Sequence, residues 1–264
     1  MRHLIFIAVS ILSFSFFSCE INTETHFNKD FSGSSSTTID LSEMMGLLGS
    51  FAEEGEENDL DSLFMFFDGS AQDPEMTQSL DSMKLVLEEA GMENFAFDRA
   101  GEYGLTMSFD FDDYTVLNQG DTFTALMENL NLGDSMEEDS SNPFDSMSSN
   151  MHIERDGRWL IIDFMGGMNY DEFLADVQAE MDEAAKMENG DVGLTAEQSL
   201  EMGLGMMGSM YSISQTFSFD KKIKDIESTL PYTQSKKKVT LSYSISDLFD
   251  TLKEENEAVL KVKL

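Results

Sequence analysis

Three aspartates near the end of one strand-like segment have the type and spacing to bind a metal ion. Asp110 and Asp112 alternate along the segment, and Asp113 follows directly. Residues two apart share a strand face at a separation of roughly 7 Å, so the carboxylates could bridge calcium if loop oxygens completed its shell. The pattern is not an EF-hand, because Tyr114 and Leu117 stand where an oxygen ligand and a glycine are needed. A solvated strand end is the alternative.

Methionine offers a second metal chemistry, because thioethers three or four residues apart can hold Cu(I). The chain contains 20 methionines. The candidate ligands are Met44, Met45, Met165, Met168, Met202, Met206, Met207 and Met210. Methionines also occur throughout the predicted helices, which favours the alternative that they fill the core. We therefore predict no cofactor.

The residues that an enzyme would need are few. His26 and His152 fall in predicted strands without an adjacent partner for acid–base chemistry. No G-x-S-x-G, phosphate-binding glycine loop or H-E-x-x-H occurs. The sequence therefore predicts a protein without catalytic activity. A carboxylate-based hydrolase is the enzyme class left open, and it would need two acids in one cleft.

The single cysteine, Cys19, follows an apolar run from Leu4 to Phe17 and the small residue Ser18. A bilayer span takes roughly 20 residues, so the run is too short to cross a membrane but suits the core of a signal peptide. The sequence Phe16-Phe17-Ser18-Cys19 resembles the lipobox of bacterial lipoproteins, although Phe17 stands where a small residue is usual. The resemblance implies cleavage after residue 18 and a lipid on Cys19. An ordinary signal peptide is the alternative.

Lipidation of Cys19 predicts where the protein acts. Two or more acyl chains anchor a protein stably, whereas a single chain is marginal. No other cysteine occurs in the chain, so disulfides cannot stabilise the domain. We expect a lipid-anchored protein of the bacterial cell envelope, at the outer membrane on its periplasmic or surface face. The membrane is then its first partner.

Charge is strongly negative and uneven along the chain. The 51 acidic and 16 basic residues give a net charge of −35, which argues against nucleic acid as a partner. Residues 41–150 hold 26 acids and two basic residues, whereas residues 221–264 hold nine lysines and seven acids. Lys236, Lys237 and Lys238 are candidates for contact with anionic head groups. A solvated turn is the alternative for these lysines, and a cation-binding surface is a less favoured interpretation of the acids.

Alternation of apolar and polar residues predicts strands in four segments. These are Tyr103 to Asp112, Tyr211 to Phe219, Val239 to Ile245 and Leu260 to Leu264. Two hairpins are also predicted, one over Met151 to Phe164 around Asp156-Gly157 and one over Ile21 to Leu41. One-sided alternation indicates an antiparallel sheet with a polar Ser/Thr face and an apolar face.

Amphipathic helices should cover the apolar face of this sheet. Apolar residues at helical spacing predict helices over 44–51, 76–87, 121–130 and 170–181. Thr195 and Gln198 resemble a capping box that begins another helix. The predicted fold class is α+β: a bent antiparallel sheet with amphipathic helices packed on one face.

Residues 1–18 are the predicted signal peptide, and residues 19–264 should form a single α+β domain. Two acidic, aperiodic segments, near 53–61 and 133–150, interrupt it. Strand-like sequence resumes on both sides of each segment, so we expect them to be loop insertions within one fold.

The composition of the core favours a binding function. Phenylalanine occurs 21 times and methionine 20 times, which suits a deformable pocket for an apolar ligand. A solid core is the alternative. We therefore expect a membrane-anchored protein that binds an apolar small molecule or lipid. A tethered subunit that binds another envelope protein is the alternative function.

The order of features along the chain resembles two groups of lipoproteins. The features are the lipobox, the hairpin sequence F-N-K-D-F-S-G-S-S-S-T-T-I-D from Phe27, an amphipathic helix, and T-L-P-Y-T-Q-S-K-K-K-V-T from Thr229. One group is the small lipoproteins common in Bacteroidota, and the other is the LppM-like lipoprotein domain. The second resemblance implies a lipid-binding α+β module. It covers mainly the two ends of the chain and assigns no ligand residues.

Overall fold

The computed structural model describes residues 19–40, 42, 84–101, 103–118, 151–167, 169–171, 173–175, 178–179, 198 and 211–264. Within these ranges the chain forms eleven strands, a 3-10 helix (Tyr114–Asn118) and the helix α1 (Ile245–Glu255). Further helical residues lie at 42, 84–89, 170–171, 173–175, 178–179 and 198. The strands are β1 (Cys19–Phe27), β2 (Gly33–Asp40), β3 (Met92–Arg99), β4 (Gly104–Phe111), β5 (His152–Asp156), β6 (Trp159–Asp163), β7 (Tyr211–Phe219), β8 (Asp225–Ser228), β9 (Tyr232–Gln234), β10 (Lys238–Ser244) and β11 (Val259–Lys263). Among these residues, no helix has both the length and the apolar character that crossing a bilayer requires.

The first sheet has seven strands in the order β3-β4-β2-β1-β7-β10-β9. Its centre is a parallel pair, in which Cys19 of β1 lies opposite Tyr211 of β7 and Phe27 lies opposite Phe219. The other neighbouring strands pair antiparallel. The parallel arrangement is possible because more than 180 residues connect β1 to β7, far more than a parallel crossover needs.

The second sheet has four antiparallel strands in the order β5-β6-β11-β8. Its β5–β6 hairpin closes where Asp156 pairs with Trp159, and Gly157 adopts a φ of 60° in the turn. Glycine tolerates this left-handed conformation without steric cost. Both predicted hairpins, β1–β2 and β5–β6, are therefore confirmed.

Side chains of the first sheet alternate between a buried and an outer face. Phe27, Phe111 and Phe217 on the buried face are 2% exposed or less. The outer face carries hydroxyl pairs across strands, such as Thr38 and Thr106 with Oγ1 atoms 2.8 Å apart. Buried residues of both sheets, Leu241 of the first and Leu260 of the second among them, form one continuous cluster. Burial of this cluster is the main source of stability that the described residues offer.

Helix α1 begins at a capping box directly after β10. The Ser244 side chain accepts from the Asp247 backbone N–H, and the Asp247 carboxylate accepts from the Ser244 backbone N–H. Three apolar residues of the helix, Leu248, Phe249 and Leu252, are buried. The Phe249 ring lies 4.8 Å from the ring of Phe173. The helix therefore joins the core through one apolar face.

The structure is a mixed, strand-rich fold, and it corrects the predicted arrangement. The expected single antiparallel sheet is wrong, because the strands divide between two sheets and β1 pairs parallel with β7. Alternation records which face is buried, not the direction of the neighbouring strand. Residues 84–89 and the described residues between 170 and 179 are helical, as predicted.

Other predicted segments lie outside the described residues. These are the signal peptide over 1–18, the acidic insertions near 53–61 and 133–150, the helices over 44–51 and 121–130, and most of the helix expected after Thr195. A layer of amphipathic helices covering one face of the sheet is not shown by the described residues. The expectation of a single domain over 19–264 stays a prediction.

Candidate functional site

Cys19, the predicted lipidation site, is the first residue of β1. It pairs with Tyr211 in the parallel register at the centre of the first sheet. No residue therefore separates Cys19 from the first sheet. A lipid attached at Cys19 would hold the first sheet directly against the membrane.

The three candidate calcium ligands do not share a strand face. Asp110 lies in β4 and accepts a hydrogen bond from Asn94 Nδ2 at 2.8 Å. β4 ends at Phe111, so Asp112 and Asp113 lie in the bend before the 3-10 helix. Asp113 Oδ1 accepts from the Thr115 backbone N–H at 2.9 Å. Among the described residues, no three His, Cys, Asp or Glu side chains are grouped to hold a metal ion.

One member of the methionine set is described. Met165 is 2% exposed and belongs to the buried cluster. Its backbone N–H donates to Asp163 Oδ1 at 2.9 Å. The remaining seven candidate Cu(I) ligands lie outside the described residues. Met165 itself fills the core.

His26 has a partner that sequence proximity could not reveal. Its Nδ1 lies 2.9 Å from Ser218 Oγ, on the neighbouring strand β7 and 192 residues away. Its Nε2 is 3.9 Å from Asp220 Oδ1, which is longer than a hydrogen bond, and both side chains are more than 40% exposed. These residue types occur in hydrolases, and His26 and Ser218 both line a groove of about 340 Å³ on the outer face of the first sheet. Because the Asp220 carboxylate is not within hydrogen-bond distance of His26, the three side chains do not form a complete hydrogen-bonded triad. His152 is exposed at the start of β5.

The three candidate membrane lysines are exposed where β9 turns into β10. Lys236 and Lys237 form the turn, and Lys238 begins β10, with its Nζ 3.9 Å from Glu24 Oε1. The Phe219 backbone N–H donates to the Lys237 carbonyl at 2.8 Å. The lysines therefore lie at the Phe27 end of β1, about 26 Å along the strand from Cys19.

A groove near the same end of β1 is lined by five lysine and arginine side chains. It has a volume of about 510 Å³. Its cations are Arg155, Arg158, Lys221, Lys222 and Lys224, and its apolar lining is Phe31 and Leu264. We call this the basic groove.

The basic groove forms where the two sheets meet. Asp220, directly after β7, donates its backbone N–H to the Phe27 carbonyl at 3.0 Å, which brings the following lysines beside the β1–β2 turn. The Leu264 N–H donates to the Arg158 carbonyl at 3.0 Å, and the Lys224 N–H donates to the Lys263 carbonyl at 2.8 Å. Backbone hydrogen bonds thus fix the three segments that line the groove: the residues after β7, the end of β11 and the β5–β6 turn.

Phe31 is the floor of the basic groove. It is 6% exposed and has a φ of 74°, a left-handed conformation that a bulky residue rarely adopts. Two cations lie over its ring: Arg155 Cζ is 4.5 Å and Lys221 Nζ is 5.1 Å from the centroid. Contacts of this kind fix the position of a charged group over an aromatic ring. The surrounding structure therefore maintains a strained backbone at the centre of the groove.

The acid nearest to this floor in the chain is Asp30. The pKa of its carboxyl is lowered mainly by the hydrogen bonds that it accepts from the Ser32 side chain and backbone, with a smaller contribution from Lys221. Ser32 Oγ donates to Asp30 Oδ1 at 2.8 Å. The Asp30 carboxylate thus mainly accepts hydrogen bonds within the β1–β2 turn. It attracts Lys221 without forming a close ion pair.

No protein-family profile matches this chain, and no curated protein does. A solved structure that aligns with it is the NMR structure of the folded domain of the LppM protein from Mycobacterium tuberculosis. The alignment covers 93% of this chain and 88% of that one, at 9% identity and a TM-score of 0.36. Likeness at this level establishes neither a shared family nor a shared ligand. The predicted resemblance to Bacteroidota lipoproteins has no support from these matches.

Sequence reasoning located the lysine turn but missed the basic groove. Arg155 and Arg158 flank the hairpin turn, whereas Lys221, Lys222 and Lys224 follow β7 more than 60 residues later. The excess of lysine after residue 220 indicated a basic surface in this part of the chain. The contribution of the hairpin arginines depends on the pairing of β6 with β11, which alternation alone does not predict.

Proposed function

We propose that this chain is a lipid-anchored, non-catalytic protein of the bacterial cell envelope that binds a lipid or another apolar molecule at the membrane. The observation that carries the proposal is the basic groove. Its volume of about 510 Å³ is in the range of ligand sites, and its floor is the ring of Phe31. An apolar floor between charged walls suits a molecule that has both an apolar and a polar part.

The groove is a better site for this ligand than the interior. Phenylalanine rings of the described core contact one another: Phe27 stacks on Phe219 at 5.4 Å and meets Phe111 edge-on at 5.9 Å. Rings packed in this way stabilise the core. We therefore place the ligand in the open groove rather than in the expected Phe/Met cavity.

Anchoring is the second part of the proposal. Lipidation of Cys19 would hold the domain close against the membrane, because β1 begins at that residue. The membrane that we propose is the outer membrane, with the domain on its periplasmic or surface face. The basic groove lies toward the other end of β1, which is about 26 Å long. β1 would then lie along the bilayer when the groove takes up a lipid. That orientation would bring the end of the sheet that carries Lys236, Lys237 and Lys238 near anionic head groups.

Cell fractionation of the full chain tests the anchor. The Cys19→Ser protein should leave the membrane fraction, because it lacks the thiol that accepts the lipid. Ser18→Ala keeps a small residue before the cysteine, so this matched control should remain in the membrane. A Cys19→Ser protein that stays in the membrane fraction would contradict lipid anchoring.

Native mass spectrometry tests the binding. Wild-type protein extracted in mild detergent should carry an apolar adduct that organic extraction removes. Phe31→Ser should reduce the occupancy of the adduct, whereas Phe109→Ser, on the same apolar side of the sheet and away from the groove, controls for the loss of a ring. A wild-type protein that carries no adduct contradicts the proposed ligand class.

A tethered interaction subunit is the second candidate function. Leu85 and Val86 lie in the helical residues 84–89 and are 61% and 54% exposed. Two adjacent exposed apolar side chains can dock a partner protein. Crosslinking in membranes would favour this function if Leu85→Glu with Val86→Glu abolished a specific adduct. Retention of the adduct in that variant would count against it.

A further inference from the structure

We propose that the cations of the basic groove bind the phosphate group of an anionic amphiphile. The inference rests on the proposed function and adds the chemical class of the ligand's head group. It follows from charge, from the placement of the cations and from the groove's apolar floor.

The groove concentrates positive charge on a strongly acidic chain. Five of the 16 lysines and arginines line it, although the net charge of the chain is −35. In the described part of the chain, the ion pairs within 4.0 Å join His26 to Asp220 and Lys238 to Glu24, and neither includes a groove cation. Like charges held this close repel one another, although Asp30 attracts Lys221, and a bound anion relieves that repulsion.

The placement of the cations favours an anion with several oxygens. Arg155 and Lys221 are fixed over the Phe31 ring, and Lys224 Nζ donates to the Leu264 carbonyl at 2.9 Å. Arg158 and Lys222 are exposed at the groove. Arginine binds phosphate through two parallel N–H donors, and lysine adds a point charge. A phosphate presents oxygens in several directions, so it can accept from donors of different segments at once.

The apolar floor explains why the phosphate should belong to an amphiphile. Phe31 and Leu264, 6% and 8% exposed, leave a small apolar surface at the base of the groove, and the aliphatic stems of the surrounding lysines and arginines extend it. A free inorganic ion would leave that surface in contact with water, whereas the first carbons of an acyl or alkyl chain would cover it. The cations of the groove would thus bind the phosphate of the ligand, and the apolar lining would contact the first carbons of its chain.

Isothermal titration of the full-length protein with short-chain lipids below their micelle concentration tests the inference. Dihexanoyl phosphatidic acid should bind, while dihexanoyl phosphatidylcholine and inorganic phosphate should bind at least about tenfold more weakly. Arg158→Gln with Lys222→Gln removes two exposed cations and should weaken phosphatidic acid binding by about tenfold or more. Lys236→Gln with Lys237→Gln removes the same charge from the neighbouring turn and should change it less than about twofold.

Each outcome separates the inference from the proposed function. Inorganic phosphate that binds as tightly as phosphatidic acid supports the anion site and contradicts the amphiphile. Phosphatidylcholine that binds as tightly as phosphatidic acid, in wild type and groove variant alike, supports the amphiphile and overturns the phosphate inference. Equal losses in the two double variants also overturn it, because they assign the effect to diffuse charge. Absence of binding to all three probes contradicts both.

Discussion

At the scale of single residues, Tyr243 carries the clearest titration signature in the described chain. Its side chain is 6% exposed, and its hydroxyl donates to Gln215 Oε1 at 3.1 Å. Burial raises the pKa of the Tyr243 phenol, because the phenolate would lose its hydration. The folded protein therefore holds this proton more tightly than the unfolded chain does.

We expect the free energy of unfolding to decrease as the pH rises above about 10, the ordinary pKa of tyrosine. Below that pH both states keep the proton, so the contribution of Tyr243 is fully present. Above it the unfolded chain ionises first and is favoured. Urea unfolding on both sides of this pH measures the slope.

Tyr243→Phe should remove that part of the pH dependence, because phenylalanine has no proton to lose. Tyr232→Phe, at a tyrosine that is 41% exposed in β9, is the matched control for the loss of a phenolic hydroxyl. Equal slopes in Tyr243→Phe and wild type would contradict the role of the buried phenol.

At the scale of elements, helix α1 depends on a signal that the strand pattern conceals. Alternation continues through Tyr243 into Ile245, so it predicts a strand that overlaps the start of the helix. Ser244 and Asp247 form the capping box at the same place. A capping box satisfies two backbone N–H groups that a helix otherwise leaves without partners. The local hydrogen bonds therefore decide where β10 ends.

Ser244→Ala should lower the free energy of unfolding by about 1 kcal/mol, because it removes the side-chain acceptor for the Asp247 N–H. Ser246→Ala, within the first turn of the helix but outside the capping box, is the matched control. Chemical denaturation monitored by circular dichroism measures both. Equal changes in the two variants would show that the capping box does not stabilise α1.

The predictability of the strands follows from their regularity. β4, β7 and β10 alternate without interruption and were predicted, whereas β3 was missed. Its buried residues Met92 and Phe95 are three apart because the pairing with β4 shifts between Glu93 and Ala96, where Asn94 has a φ of 53°. A bulge of this kind breaks the period of two on which strand prediction depends. β8 and β9 are only four and three residues long, too short for a pattern to stand out.

At the scale of the whole molecule, the two sheets share one core. Leu241 and Leu260 come from different sheets, are each 0% exposed and belong to the same buried cluster. The single tryptophan, Trp159, lies in β6 of the second sheet, under Lys263. Its fluorescence therefore reports on a sheet that Leu241 does not belong to.

Leu241→Ala should lower the free energy of unfolding reported by Trp159 by about 3 kcal/mol, because the cavity in the first sheet weakens the shared core. Leu260→Ala should lower it by a similar amount, and Leu85→Ala, at an exposed position, serves as the control with little effect. Fluorescence and far-ultraviolet circular dichroism should give coincident transitions. A Trp159 transition unaffected by Leu241→Ala would contradict cooperative unfolding of the two sheets.

The candidate site was predictable only in part at this scale. The lysine turn could be recognised because its three residues are consecutive. The basic groove could not, since its walls come from β5–β6, from the segment after β7 and from the end of β11. Long-range strand pairing places these segments together, and local sequence patterns do not predict that pairing.

The parallel pairing of β1 with β7 also has a consequence for the order of events during biogenesis. β1 leaves the ribosome first, but its partner strand follows some 190 residues later, as the 192-residue separation of His26 and Ser218 records. Pairing over such a distance is slow, because the loop must close before contacts form. Cys19 thus stays outside the completed sheet until β7 has been made. β1 and β2 are neighbours in the chain, so their hairpin can pair long before β7 completes the sheet.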